Sequence, residues 1–144
     1  MDLLCRRGDE LAPAELYALL RLRVDVFVVE QECPYPELDG KDLLASTQHL
    51  WVEQQGTIAG CVRILDEPDG SLRIGRVCTA EAARGTGLGG RLLQAAMQTA
   101  PYAGYVLDSQ TYAKGFYARF GFVAEGEPFD EDGIAHITMR RPAG

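Results

Sequence analysis

Glycine alternates with larger residues at Arg84-Gly85-Thr86-Gly87-Leu88-Gly89, directly ahead of a segment whose apolar residues recur with helical spacing. Bare amides at a helix start carry partial positive charge, and an anion placed there gains roughly 0.3–1 kcal/mol from the helix dipole. Arg84 and Arg91 bring further positive charge to the same place. In a chain of formal charge −7 this is a local exception, and a phosphate group would account for it. A tight turn that uses glycine for packing is the competing explanation.

Gly85-Thr86-Gly87-Leu88-Gly89-Gly90 also contains Gly-x-Gly-x-x-Gly, the dinucleotide fingerprint. Asp108 follows near the interval of roughly 20 residues at which a ribose-binding acid belongs. That motif requires its first glycine directly after a strand, whereas Ala80 to Arg84 intervene here. The strands that precede it also read as a meander, which is wrong for a βαβ unit.

The elements that would carry this loop follow from periodicity. Leu3 to Arg6 reads as a short strand. Ala12-Pro13-Ala14-Glu15 opens a helix, with Pro13 suited to a first turn. Leu16, Leu19, Leu20, Val24 and Phe27 keep the helical period. The β-branched run at its end leaves its limit open. Cys33-Pro34-Tyr35-Pro36-Glu37-Leu38-Asp39-Gly40 must be a loop. His49 to Glu53, Thr57 to Leu65 and Leu72 to Thr79 form three strands joined by short turns, an antiparallel meander. A polar link, Ala80 to Ala83, leads into the glycines. Leu88, Leu92, Leu93, Ala96, Met97 and Ala100 then share one helical face, which Pro101 ends. Tyr105 to Asp108 is a strand that follows a helix, so it should run parallel to the one before the glycines. Tyr112 to Phe120 is a short helix closed by Gly121. Glu125 to Asp132 reads as a solvated acidic loop, and Gly133 to Arg140 as a last strand. The order predicts an α/β layer fold around one mixed sheet, and the 144 residues are expected to form a single domain.

Composition narrows the function. A nucleic-acid binder needs a basic face, which this chain would have to build against its mean charge, so no nucleic-acid partner is expected. No apolar run approaches the length of a membrane span. The start, Met1-Asp2-Leu3-Leu4-Cys5-Arg6-Arg7, lacks the apolar stretch of a signal peptide. Four cysteines without paired spacing point to free thiols rather than disulfides or zinc. A cytoplasmic protein without a metal is the expectation.

Taken together, these segments resemble the GNAT acetyltransferase superfamily. Arg84-Gly85-Thr86-Gly87-Leu88-Gly89 is similar to its Arg/Gln-x-x-Gly-x-Gly/Ala loop. Phe116-Tyr117-Ala118-Arg119-Phe120-Gly121-Phe122 resembles its helix with a tyrosine and a terminal Gly-Phe. Leu22 to Gln31, Cys33 to Asp42 and Glu131 to Ile137 resemble the ElaA branch, so the likeness covers nearly the whole chain. It implies a mixed, mostly antiparallel central sheet flanked by helices, and acetyl transfer from acetyl-CoA to an amine by direct attack. It also implies that residues 84–89 take the pyrophosphate, and that Val77, Cys78 and Thr79 pair with the pantetheine arm through backbone groups where the sheet opens.

Tyr117 matches the family's general-acid position, and a phenol of pKa about 10 is protonated at neutral pH. Tyr112, five positions earlier, should point elsewhere at about 100° per residue. An acceptor amine of pKa about 10.4 is neutral in only about one molecule in two thousand at pH 7, so a base would help. Glu30, at the end of the first helical region, and His136, which titrates in the useful range, are the candidates. Cys78 has no visible His–Asp partner to make it a nucleophile. The partners implied are acetyl-CoA and a small or peptidyl amine, with homodimers common in the superfamily. Rival readings are a GNAT-fold enzyme with a different acyl donor or product, such as an acyl-homoserine-lactone synthase, which Arg23 to Phe27 resembles although those chains are longer, a non-catalytic acyl-CoA-binding or partner-binding module on the same fold, and the dinucleotide oxidoreductase.

Overall fold

The computed structural model describes residues 2–144. After β1 (Asp2–Arg7), the amide of Ala12 donates to the Glu15 carboxylate at 2.9 Å and starts α1 (Pro13–Val24). The helix does not stop at Val24. It widens into a π-helical turn over Asp25–Glu30, and the Cys33 amide bonds the Val28 carbonyl at 3.1 Å, five residues back. The wider turn carries the β-branched run that left the helix end open in the sequence, and such turns concentrate at functional sites.

β2 (Gln48–Gln54), β3 (Thr57–Asp66) and β4 (Leu72–Thr79) form the expected antiparallel meander, with β1 added outside β2. α2 (Leu88–Gln98) follows the glycine loop. It buries Leu88, Leu92, Leu93, Ala96 and Met97 against β2, β3 and β4. α1 covers the opposite face, over Trp51, Cys61 and Cys78. β5 (Tyr105–Gln110) lies parallel to β4, as its place after a helix requires. A 3-10 turn, Thr111–Ala113, leads into α3 (Lys114–Ala118).

The acidic loop expected at 125–132 is instead a strand, β6 (Val123–Glu131), paired antiparallel with β7 (Ile134–Arg141). β6 is exposed along its whole length because it is the outer edge, so neither face imposes apolar alternation. Asp132 and Gly133, both at positive φ (53° and 83°), make the two-residue turn that joins them. Among the described residues the sheet therefore has seven strands in the order β1-β2-β3-β4-β5-β7-β6, and only the β4–β5 pair is parallel.

That pair decides where a ligand can enter. β4 and β5 are bonded only at Leu72–Tyr105 and Arg73–Val106. Past Arg73 they diverge, and one edge of β4 from Ile74 to Thr79 has no strand beside it. Among the described residues no helix is long and apolar enough to cross a membrane.

Candidate active site

The divergence opens a cleft of about 730 Å³ between β4 and β5. Unpaired N–H and C=O groups along such an edge must find partners, which suits an extended polar chain. Val77, Cys78 and Thr79 lie on this stretch and line the cleft. Upstream of them, Arg76 sits at a bulge in β4 with φ of 55°, where two residues of β4 oppose one of β3. A bulge re-aims the backbone, and here it does so inside the cleft.

At the far end of β4, a short 3-10 turn (Glu81–Ala83) leads to Gly85 and Gly87, with φ of 78° and 79°. Gly87 caps α2, and the Arg91 amide makes the first helical bond to its carbonyl at 3.2 Å. A Cβ at either glycine would meet nothing within 4 Å, so open space fronts the loop and only the backbone conformation requires glycine. Gly89 has ordinary helical geometry, and a Cβ there would meet only Phe116, at 3.8 Å. Thr86 turns its hydroxyl inward to the Ala83 carbonyl at 2.6 Å, and the Leu88 side chain is buried in the core.

The side chains singled out from sequence divide into two groups. Tyr117 and His136 line the cleft, Tyr117 from α3 and His136 from β7. No hydrogen-bond partner for the Tyr117 hydroxyl exists among the described residues. Burial, then the nearby Tyr112, pushes its pKa up to about 12. The Nδ1–H of His136 donates to the Ile134 carbonyl at 2.8 Å, and its Nε2 lies 3.7 Å from a Glu131 carboxylate oxygen. Its ring stacks on Phe129 at 6.0 Å.

Glu30 and Cys78 also line the cleft, but their side chains are held by other groups. The Glu30 carboxylate accepts from Arg84 Nη2 at 2.5 Å, and the same nitrogen lies 3.3 Å from the Thr79 carbonyl. The Cys78 thiol is buried under α1, 3.6 Å from that of Cys61, which faces it across the strands. Its bond with Cys61 and its burial both raise its pKa well above the ordinary thiol value, so it holds its proton. Tyr112 does not point away from Tyr117 but lines the same cleft, because it belongs to a 3-10 turn rather than to a continuous helix.

Sequence reasoning assigned no role to the buried ionic cluster that forms the cleft's other wall. Arg23, 1% exposed, donates to Glu37 at 2.7 Å and to Asp42 at 2.6 Å. Arg63 bonds Asp39 at 2.8 Å and Asp42 at 3.2 Å. Arg76 donates to Glu37 at 2.7 Å and lies over the Tyr35 ring, and the Tyr35 hydroxyl donates to Glu37. The proline-rich loop is thereby tied to α1 and to the sheet, with Tyr35 and Asp39 on the cleft.

Burial alone would raise the Asp39 carboxyl, but the hydrogen bond and charge of Arg63 bring it down to about 2, against an ordinary 3.8. Asp42 is lowered in the same way: burial opposes, and Arg23 and then Arg63 prevail. A carboxyl whose folded pKa is depressed stabilises the fold above its unfolded value and stops doing so as pH falls through the folded one. The melting temperature is therefore expected to drop between about pH 4 and pH 2, and Asp39→Asn should flatten that part of the profile. If the Asp39→Asn variant kept a profile as steep as that of the parent, Asp39 would be excluded as the responsible group.

A mixed sheet that parts beside β4, with a glycine loop capping the next helix, defines the acyl-CoA N-acyltransferase fold. Known proteins agree. A family model for the acetyltransferase (GNAT) domain matches residues 23–142, so the chain belongs to the GNAT acetyltransferase family. Within it the chain falls in the ElaA-like branch. Protein ElaA of Escherichia coli is 40% identical over 139 residues, 92% of this chain and 91% of that protein. A UPF0039 protein of Mycobacterium tuberculosis is 48% identical over 139 residues, covering 94% and 89% of the two chains. The crystal structure of an acyl-CoA N-acyltransferase from Pseudomonas aeruginosa superposes with a TM-score of 0.91 at 45% identity, over 97% of this chain and 98% of that one.

Proposed function

We propose that this protein transfers the acetyl group of acetyl-CoA to a primary amine by direct attack within a ternary complex. The observation that carries this reading is the parting of β4 from β5 after Arg73, because an open strand edge needs an extended polar partner. In the reading, the pantetheine arm lies along Val77, Cys78 and Thr79. The diphosphate rests on the amides of Gly85, Thr86, Gly87, Leu88 and Gly89, with Arg84 alongside.

His136 takes the acceptor's proton at Nε2, because its Nδ1–H is already given to Ile134. The freed amine attacks the thioester carbonyl. A backbone N–H of the open β4 edge donates to the carbonyl oxygen as it gains charge. The C–N bond forms, the nitrogen, cationic after attack, gives its second proton to solvent, and the C–S bond breaks. Tyr117 gives its proton to the departing thiolate of CoA, and solvent restores it. Glu30, held by Arg84, stays outside the proton path. A proton-bearing buried thiol at Cys78 argues against an acyl-enzyme.

Gly87→Trp tests the donor half. A side chain there stands in the open space before the loop and meets a left-handed backbone at a cost of about 1–2 kcal/mol, which a folded domain can bear. Calorimetry should find CoA binding lost while the thermal transition survives. A folded Gly87→Trp variant with undiminished CoA affinity would remove the diphosphate from this loop. CoA release with a panel of amines then separates an enzyme from a binding module.

A further inference from the structure

We propose that Glu30 restrains donor binding: it holds Arg84 over the end of the open β4 edge, and the donor's diphosphate has to take Arg84 from it. The proposal rests on the acyl-CoA reading of the cleft.

Glu30 and Arg84 lie 54 positions apart and come from different elements, Glu30 from the last residue of the π-helical turn and Arg84 from the start of the glycine loop. Both line the cleft. Arg84 Nη2 reaches Glu30 at 2.5 Å and the Thr79 carbonyl at 3.3 Å. One guanidinium nitrogen thus bonds Glu30 and also covers a carbonyl of the open β4 edge, which the pantetheine arm would otherwise use.

An arriving diphosphate brings more than one negative charge and several acceptor oxygens to the amides beside Arg84. A guanidinium binds phosphate in a forked, charge-assisted geometry. The contact it must give up is weak, because the two side chains are 43% and 37% exposed and water screens the pair. The diphosphate therefore wins the arginine, but the affinity measured for the donor is lowered by whatever the Glu30 contact was worth. Release of Arg84 also uncovers Thr79 and leaves a free carboxylate on the cleft wall.

The test is a double-mutant cycle on the full chain, read by calorimetry with CoA and with 3′-dephospho-CoA, which keeps the diphosphate. Glu30→Gln should tighten both ligands by about two- to fivefold, the range of an exposed ion pair. Arg84→Ala should weaken both, and adding Glu30→Gln to Arg84→Ala should change nothing further. A pair that merely props up the loop would give the opposite sign, with Glu30→Gln binding more weakly. That result overturns the proposal, as does an unchanged affinity, a gain that persists without Arg84, or a gain confined to CoA, which would place Arg84 at the 3′-phosphate. A parent protein that binds neither ligand overturns the acyl-CoA reading instead.

Discussion

Tyr117→Phe is expected to lower kcat by about 10²- to 10⁴-fold, the range for loss of a positioned general acid, with CoA affinity unchanged. The substitution removes one oxygen and keeps the ring. That ring meets Phe116 edge-on at 5.0 Å and Phe122 at 6.2 Å, contacts that do not involve the hydroxyl. The hydroxyl has no hydrogen-bond partner among the described residues, so its loss breaks no internal bond. Its pKa, raised to about 12 by burial and then by Tyr112, keeps the proton in place throughout the neutral range. Any break in the rate profile near neutral pH therefore belongs to another group. The measurement is single-turnover release of CoA with whichever panel amine supports turnover. A Tyr117→Phe enzyme as fast as the parent, with the chemical step limiting, would remove Tyr117 from the role of acid.

Arg23→Met is expected to destabilise the fold by about 3 kcal/mol, near the low end of what breaking a buried ion pair costs. It strips a guanidinium from two carboxylates in the interior, Glu37 and Asp42. The low end is appropriate because each acid keeps a second arginine: Arg76 lies 2.7 Å from Glu37, and Arg63 lies 3.2 Å from Asp42. Arg23→Lys should recover little, because a single ammonium cannot reproduce the forked contacts to both acids. Urea denaturation reads the effect directly. A midpoint unmoved in the Arg23→Met variant would mean that the cluster contributes nothing net to stability.

The glycine loop and its flanking elements were largely legible in the sequence. Arg84 to Gly89 follows a strand and a polar link and opens a helix, and all four parts occur in the structure in that order. Glycine's conformational freedom acts within one turn, so its meaning survives without tertiary context. The parallel placement of β5 followed from a helix intervening between two strands. β6 was illegible by periodicity because an edge strand exposed on both faces needs no apolar alternation. The Asp132-Gly133 pair was the available signal, since that dipeptide favours the two-residue hairpin turn.

The ion pairs around the cleft were not legible. Arg23 finds its carboxylates 14 and 19 positions away, Arg63 reaches Asp39 across 24, and Arg84 reaches Glu30 across 54. No local pattern marks such pairs, because each guanidinium could take any of the chain's acids until the backbone brings one to it. Tyr112 joined the cleft only because a 3-10 turn rotated it there. Sequence alone thus determined where the chain bends, which faces turn inward and where bare amides gather, since these are settled by neighbours within a few residues. The folded chain decided which charge meets which, that Glu30 faces Arg84 rather than open water, and that β4 parts from β5 at Arg73, since each depends on distances between segments that only packing sets.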